Sequence, residues 1–315
     1  QATAADWPES FFAERIVEFR RPPPDATQLA AAAAVLKSAR QPMIVCGGGV
    51  LYSEGACDAL RRFSEKHGIP VGETQAGKGA LPWDHPYVSG AIGVTGTPAA
   101  NELAADADVV LAVGTRLQDF TTGSHSLYAK ARLVSINAAT FDAIKWGGAA
   151  VEADATLALD ALDAALGGWT SDPAWQERSK KLNRAWQHAI GDITTSSRAA
   201  LPTYAEVIGA VQSSVPDSPA DDIGVCAAGT LPAEMHKLWR SSVPGGYHME
   251  YGYSCMGYEV AGGLGVKMAR PDREVIVLVG DGSYLMLNNE LATSVMLGHK
   301  IIVVVTDNFG YACIT

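Results

Sequence analysis

At 315 residues the chain has room for two α/β domains with separate cores, and 48% hydrophobic with 18% charged residues excludes a disordered chain or a coiled coil. A formal net charge of -10 with no arginine-rich or lysine-rich run argues against nucleic acid as a partner. Five scattered cysteines without CxxC spacing point to a reducing setting; no apolar run reaches the ~20 residues a bilayer demands and no signal-peptide pattern opens the chain, so a cytoplasmic protein is expected with no membrane contact.

Residues 1–25 read as a linker: Trp7, Phe11 and Phe12 precede Arg20-Arg21-Pro22-Pro23-Pro24, whose prolines favour extended backbone. An alanine- and leucine-rich helix is predicted over 26–40, followed by a buried strand at 43–46, a turn at Gly47-Gly48-Gly49, a helix over 54–67 stopped by Gly68, and a strand at 69–71. Strands at 109–113 and 133–136 alternate with helices at 99–105 and 155–166, which makes 26–170 one domain of βαβ units. Residues 171–200 form a polar helical connection, with Trp175 and Trp186 spaced for partial burial. A second domain over 201–315 carries strands at 223–226, 274–279 and 301–306, the middle one apolar enough to be covered on both faces. The expected fold is α/β, two Rossmann-like parallel-sheet domains. Gln1 in place of methionine and an end at Thr315 just past a strand predict a missing remainder, with the second domain truncated at its C-terminus.

The strand over 274–279 ends in Gly280-Asp281-Gly282-Ser283, a helix runs through 289–297 to Gly298, and the strand over 301–306 ends in Asp307-Asn308. If the two strands are neighbours at about 4.8 Å, Asp281 and Asn308 emerge together at the carboxyl edge, where open sheets bind ligands. A carboxylate and an amide oxygen are hard donors suited to Mg²⁺, which takes further ligands from water and phosphate. Glycines flanking Asp281 let backbone approach a phosphate, and a following helix directs N–H groups at it. A metal-bound diphosphate is the implied ligand. Gly-Asp-Gly alone is a common turn; its pairing with an Asn at the next strand end resembles the signature of the thiamine diphosphate enzymes, which usually ends Asn-Asn where this chain has Asp307-Asn308.

The resemblance implies thiamine diphosphate and Mg²⁺ as cofactors, with Asp281, Asn308 and the Gly310 carbonyl as metal ligands and Gly282 and Ser283 beside the diphosphate. The segment from Tyr251 to Gly265 is similar to the family's loop and small-residue helix at the aminopyrimidine end. There Met256 matches the bulky side chain that holds thiamine bent, and Ser254 the carbonyl that binds its amino group. Ala227-Ala228-Gly229-Thr230 resembles the diphosphate loop, which adds Gly229 and Thr230 as cofactor-binding candidates. Tyr251, Tyr253, His248 and Glu250 lie near the expected cofactor mouth, though structural roles are favoured for them, and His85 reads as loop packing.

The first domain is similar to the family's central domain through 41–50, 77–86 and 107–116. Some relatives hold FAD or ADP there, but Gly47-Gly48-Gly49 lacks GxGxxG spacing and a structural role is expected. The longer runs over 73–86, 90–97, 114–123 and 248–256 look like the branch that opens a trihydroxycyclohexane-dione ring in myo-inositol breakdown. That implies hydrolytic C–C cleavage of a cyclic diketone by a homodimer or homotetramer. It also implies an activating glutamate on a pyrimidine-binding domain outside this chain, supplied by a partner subunit, so that this chain alone is inactive. Two other readings stay open: an acetolactate synthase-like lyase or transferase acting on 2-oxo acids, and a non-catalytic nucleotide-binding or assembly module.

Overall fold

Short runs of β-branched and small residues build two parallel sheets, each sandwiched by helices because its strands are apolar on both faces. The computed structural model describes residues 4–195, 197–214, 222–250 and 252–314. The first sheet contains β1 (Pro42–Cys46), β2 (Val71–Glu73), β3 (Val88–Ala91), β4 (Val109–Val113), β5 (Arg132–Asn137) and β6 (Ala149–Glu152), in the order β3-β2-β1-β4-β5-β6. The second contains β7 (Ile223–Cys226), β8 (Tyr247–Met249), β9 (Val275–Gly280) and β10 (Ile302–Thr306), in the order β10-β9-β7-β8. Every pairing is parallel.

Around the first sheet lie α1 (Ala26–Lys37), α2 (Gly48–Tyr52), α3 (Ala56–His67), α4 (Pro98–Asp106), α5 (Asp119–Thr122), α6 (Thr140–Ile144) and α7 (Ala155–Leu166). Alternation along β1 divides the core: Ile44 and Cys46 face Leu36, Phe63 and Leu159 of α1, α3 and α7, while Met43 and Val45 face Leu103 of α4 and Trp175. Trp175 opens α8 (Pro173–Ile193), and the far end of that helix buries Ile190 in the second core, so one 21-residue rod joins both domains. The second sheet is covered on one face by α9 (Tyr204–Ser213) and α10 (Leu231–Leu238) and on the other by α11 (Tyr258–Ala269). Following β9 come α12 (Asp281–Met286) and α13 (Glu290–Leu297).

Several expectations shift. The strand placed at 69–71 lies at Val71–Glu73. The helix placed at 54–67 is one helix that starts at Ala56, capped by Gly55 at φ 80, and the short α2 precedes it at Gly48–Tyr52. The Gly47-Gly48-Gly49 turn is already the start of α2, and its glycines serve packing: a Cβ on Gly47 would sit 2.3 Å from the Gly114 carbonyl oxygen. Trp175, expected to be partly buried, is 2% exposed, with its indole N–H donating to the Pro42 carbonyl at 2.9 Å. The extended segment before α1 is pinned where Arg21 grips both carboxylate oxygens of Asp154, at 3.1 and 3.0 Å. Among the described residues no helix is long and apolar enough to cross a membrane.

Candidate functional site

β9 and β10 are hydrogen-bonded neighbours with Gly280 opposite Thr306, so Asp281 and Asp307 leave the sheet side by side and Asn308 follows by one residue. Beside them the loops after β7 and before α11 converge, held where the Ser254 hydroxyl donates to the Ala227 carbonyl at 3.2 Å. The result is a cavity of about 230 Å³ at the carboxyl edge of the sheet. Gly229, Thr230, Ser254, Met256, Gly282, Ser283, Asn308 and Gly310 all line it.

Asn308 lines this cavity, whereas Asp281, which opens α12 directly after Gly280, is not among its lining residues. Asp281 Oδ1 and Asn308 Oδ1 are both buried with no hydrogen-bond partner. Orphaned oxygens of this kind are costly unless a ligand completes them. The Asn308 side chain is fixed from its other end, its Nδ2 donating to the Tyr204 hydroxyl at 2.6 Å, which leaves the amide oxygen for the site. A carboxylate and an amide oxygen without donors fit a small hard cation. No cluster of three or more His, Cys, Asp or Glu that could hold a metal occurs among the described residues, so softer metals have no comparable set.

The glycines around Asp281 divide their work. A Cβ on Gly280 would meet nothing within 4 Å, which leaves its backbone open to a ligand, whereas one on Gly282 would strike the Tyr311 ring at 2.5 Å. Gly282 must stay glycine because the Tyr311 ring packs against it, and its main chain lines the cavity together with that of Gly280. Ser283 lines the cavity, and its hydroxyl donates to the Glu259 carboxylate at 2.8 Å and accepts from the Gly257 N–H at 2.8 Å. Glu259 and Tyr204, which tie the site together, were missed in the sequence. An isolated glutamate in a glycine-rich helix and a tyrosine opening a helix carry no local signal.

Other candidates sit elsewhere. His248 and Glu250 line a separate cavity of about 840 Å³ beside β8 and α11. His248 is bonded to the Tyr258 hydroxyl at 2.6 Å, and burial holds its imidazole below the ordinary value. Glu250 receives the N–H groups of Gly252, Tyr253 and Cys255 at 2.7, 3.0 and 2.8 Å, so its carboxylate shapes the loop. Tyr253 is exposed, and Tyr251 lies outside the described residues. His85 bonds Glu65 at 3.0 Å and receives the Tyr87 N–H at 3.3 Å, as a packing residue would. A third cavity of about 610 Å³ opens at the β1–β4 switch point and shares Gly229, Thr230 and Ser254 with the carboxyl-edge cavity.

Residues 29–162 match the model of the thiamine pyrophosphate enzyme central domain, and residues 227–315 match that of the C-terminal TPP binding domain. Along its whole length the chain is 43% identical to a 3D-(3,5/4)-trihydroxycyclohexane-1,2-dione hydrolase of Geobacillus thermodenitrificans, covering 52% of it. It is 40% identical to the protein of that name from Clostridium tetani and 38% to that from Bacillus subtilis, covering 52% and 53% of them. The chain thus spans about half the length of these curated relatives.

Proposed function

We propose, for a chain that belongs to the thiamine pyrophosphate enzymes through its central and C-terminal domains, that the whole protein hydrolytically opens the ring of 3D-(3,5/4)-trihydroxycyclohexane-1,2-dione. The product is 5-deoxy-glucuronate, in myo-inositol catabolism. The observation that carries this reading is the 43% identity to a hydrolase of that substrate, sustained over the entire chain rather than over the cofactor motif alone.

The residues divide the labour. Asp281 and Asn308, with the carbonyl of Gly310, hold Mg²⁺; the orphaned Oδ1 atoms of the first two support this assignment. Backbone groups of Gly229, Thr230, Gly282 and Ser283 cradle the diphosphate, Met256 supports the bend of thiamine, and the Ser254 carbonyl takes its amino group. When bound, thiamine diphosphate supplies a carbanion centre for addition to a carbonyl and an electron sink for the C–C bond that breaks. The loops of this chain orient that centre.

The glutamate that activates the cofactor belongs to a pyrimidine-binding domain outside these residues, contributed by a partner subunit of a cytoplasmic homodimer or homotetramer. The central domain plays a structural part, supported by Gly47 and Gly49, where an added Cβ would strike Gly114. The test is an assay of the full-length protein with thiamine diphosphate and Mg²⁺ on the cyclic dione and on pyruvate. Turnover of the dione alone is expected, and turnover of pyruvate alone would overturn the reading.

A further inference from the structure

The carboxylate of Glu259 lies at the back of the carboxyl-edge cavity, 1% exposed, in the first turn of α11. It gathers donors from three places: the loop after β7, the cap of its own helix and the first turn of α12. Ser283 shares its hydroxyl proton between the two carboxylate oxygens at 2.8 Å each, Ala228 donates its N–H to Oε1 at 3.3 Å, and Gly257 donates its N–H to Oε2 at 3.0 Å. Those segments are the ones that line the cavity through Gly229 and Thr230, Ser254 and Met256, and Gly280 and Gly282. The same carboxylate thus fixes every segment from which cofactor contacts are drawn, apart from the end of β10.

We propose that Glu259 is a positioning residue of the cofactor cradle, holding its three segments in register by hydrogen bonds from neutral donors. A buried carboxylate is tolerated only when its lone pairs are filled, and here neutral donors fill them. The choice of a carboxylate over an amide follows from the donor count. A glutamine keeps one acceptor oxygen and turns an NH₂ toward hydroxyl and amide donors. Whichever oxygen becomes the NH₂, a backbone N–H faces it, Ala228 at Oε1 or Gly257 at Oε2, so one donor is left pointing at another.

This inference rests on the reading of the cavity as a thiamine diphosphate site, and the experiment separates the two. Titration calorimetry on the full-length protein with Mg²⁺ and thiamine diphosphate is compared for wild type, Glu259→Gln, Glu259→Asp and Ser283→Ala. Glu259→Gln is expected to weaken cofactor binding about tenfold, in the range seen for lost supporting partners of a metal site. The apparent cofactor constant should rise while the substrate KM stays unchanged. Glu259→Asp, which keeps the charge, should recover part of the loss. Glu259→Gln combined with Ser283→Ala should be no weaker than Glu259→Gln alone, since the two act as one unit. Wild-type protein that binds no cofactor would sink the cofactor reading. Wild type that binds, with Glu259→Gln binding equally well or with additive losses in the double variant, would sink the role given to Glu259. Should Glu259→Gln fail to fold, Ser283→Ala carries the test: cofactor affinity equal to wild type would overturn the proposal.

Discussion

Two oxygens decide the character of the site. Asp281 Oδ1 and Asn308 Oδ1 are buried and find no partner within the protein, and a bound cation would offset their desolvation. Asp281→Asn keeps the shape and removes the charge. Metal-dependent cofactor affinity should fall by at least about 10- to 100-fold, the loss typical of even an outer partner of a metal site, as read by calorimetric titration with and without Mg²⁺. Tyr204→Phe tests the amide. Without the hydroxyl that Asn308 Nδ2 donates to at 2.6 Å, the amide is free to rotate. Cofactor affinity should drop about tenfold with little change in thermal midpoint, and unchanged affinity would show that Asn308 is oriented by other contacts.

At the scale of elements, the seam between α10, β8 and the loop after β2 sets where the cofactor loops lie. His236 of α10 bonds the Glu73 carbonyl through Nε2 and Thr95 through Nδ1, both at 2.9 Å, and Tyr247 of β8 donates to Gln75 at 2.7 Å. Burial, and then the nearby Lys78 charge, push the His236 imidazole down from 6.5 to about 3. Because the folded value lies below the unfolded one, the unfolded chain takes the proton first as pH falls. The stability from this neutral imidazole is complete above 6.5 and lost progressively toward 3. Thermal midpoints of the wild type should therefore begin to fall below 6.5, and His236→Gln should start lower but show a flatter slope across that window. Packing at the neighbouring end of β1 gives a second test. Gly47→Ala drives a methyl into the Gly114 carbonyl and should cost about 1–3 kcal/mol, measured by denaturant unfolding. The long strands β4, β9 and β10 were readable as apolar runs, and so was the Asp281–Asn308 pairing that follows from β9 and β10 being neighbours. β3, β6 and β8 escaped notice because Val88–Ala91, Ala149–Glu152 and Tyr247–Met249 are three or four residues long, and small or polar residues carry no period. The roles of Glu259 and Tyr204 were equally hidden, since each depends on contacts with loops distant in sequence.

On the scale of the whole molecule, anchoring a cofactor and activating it are separate tasks, and the buried carboxylates of this chain bear on the second. Among the described residues the buried glutamates are Glu73, Glu206 and Glu259. Glu73 accepts the Gly79 N–H at 2.9 Å, and burial raises its carboxyl against the pull of Lys78. Glu206 closes the capping box of α9 with the Thr203 N–H at 2.7 Å and is held down to about 2 by main-chain N–H groups of Ser197 and Thr203. Glu259 is committed to Ser283. None of the three is among the residues lining the carboxyl-edge cavity, and each is engaged by hydrogen bonds within the fold. The 315-residue polypeptide should accordingly bind thiamine diphosphate in a Mg²⁺-dependent way yet leave the cyclic dione untouched, while the full-length protein opens it. Product formation by both, measured side by side, checks this. Turnover by the shorter chain would place the activating acid within these residues, and Glu73, Glu206 and Glu259 would be the first to be replaced by glutamine.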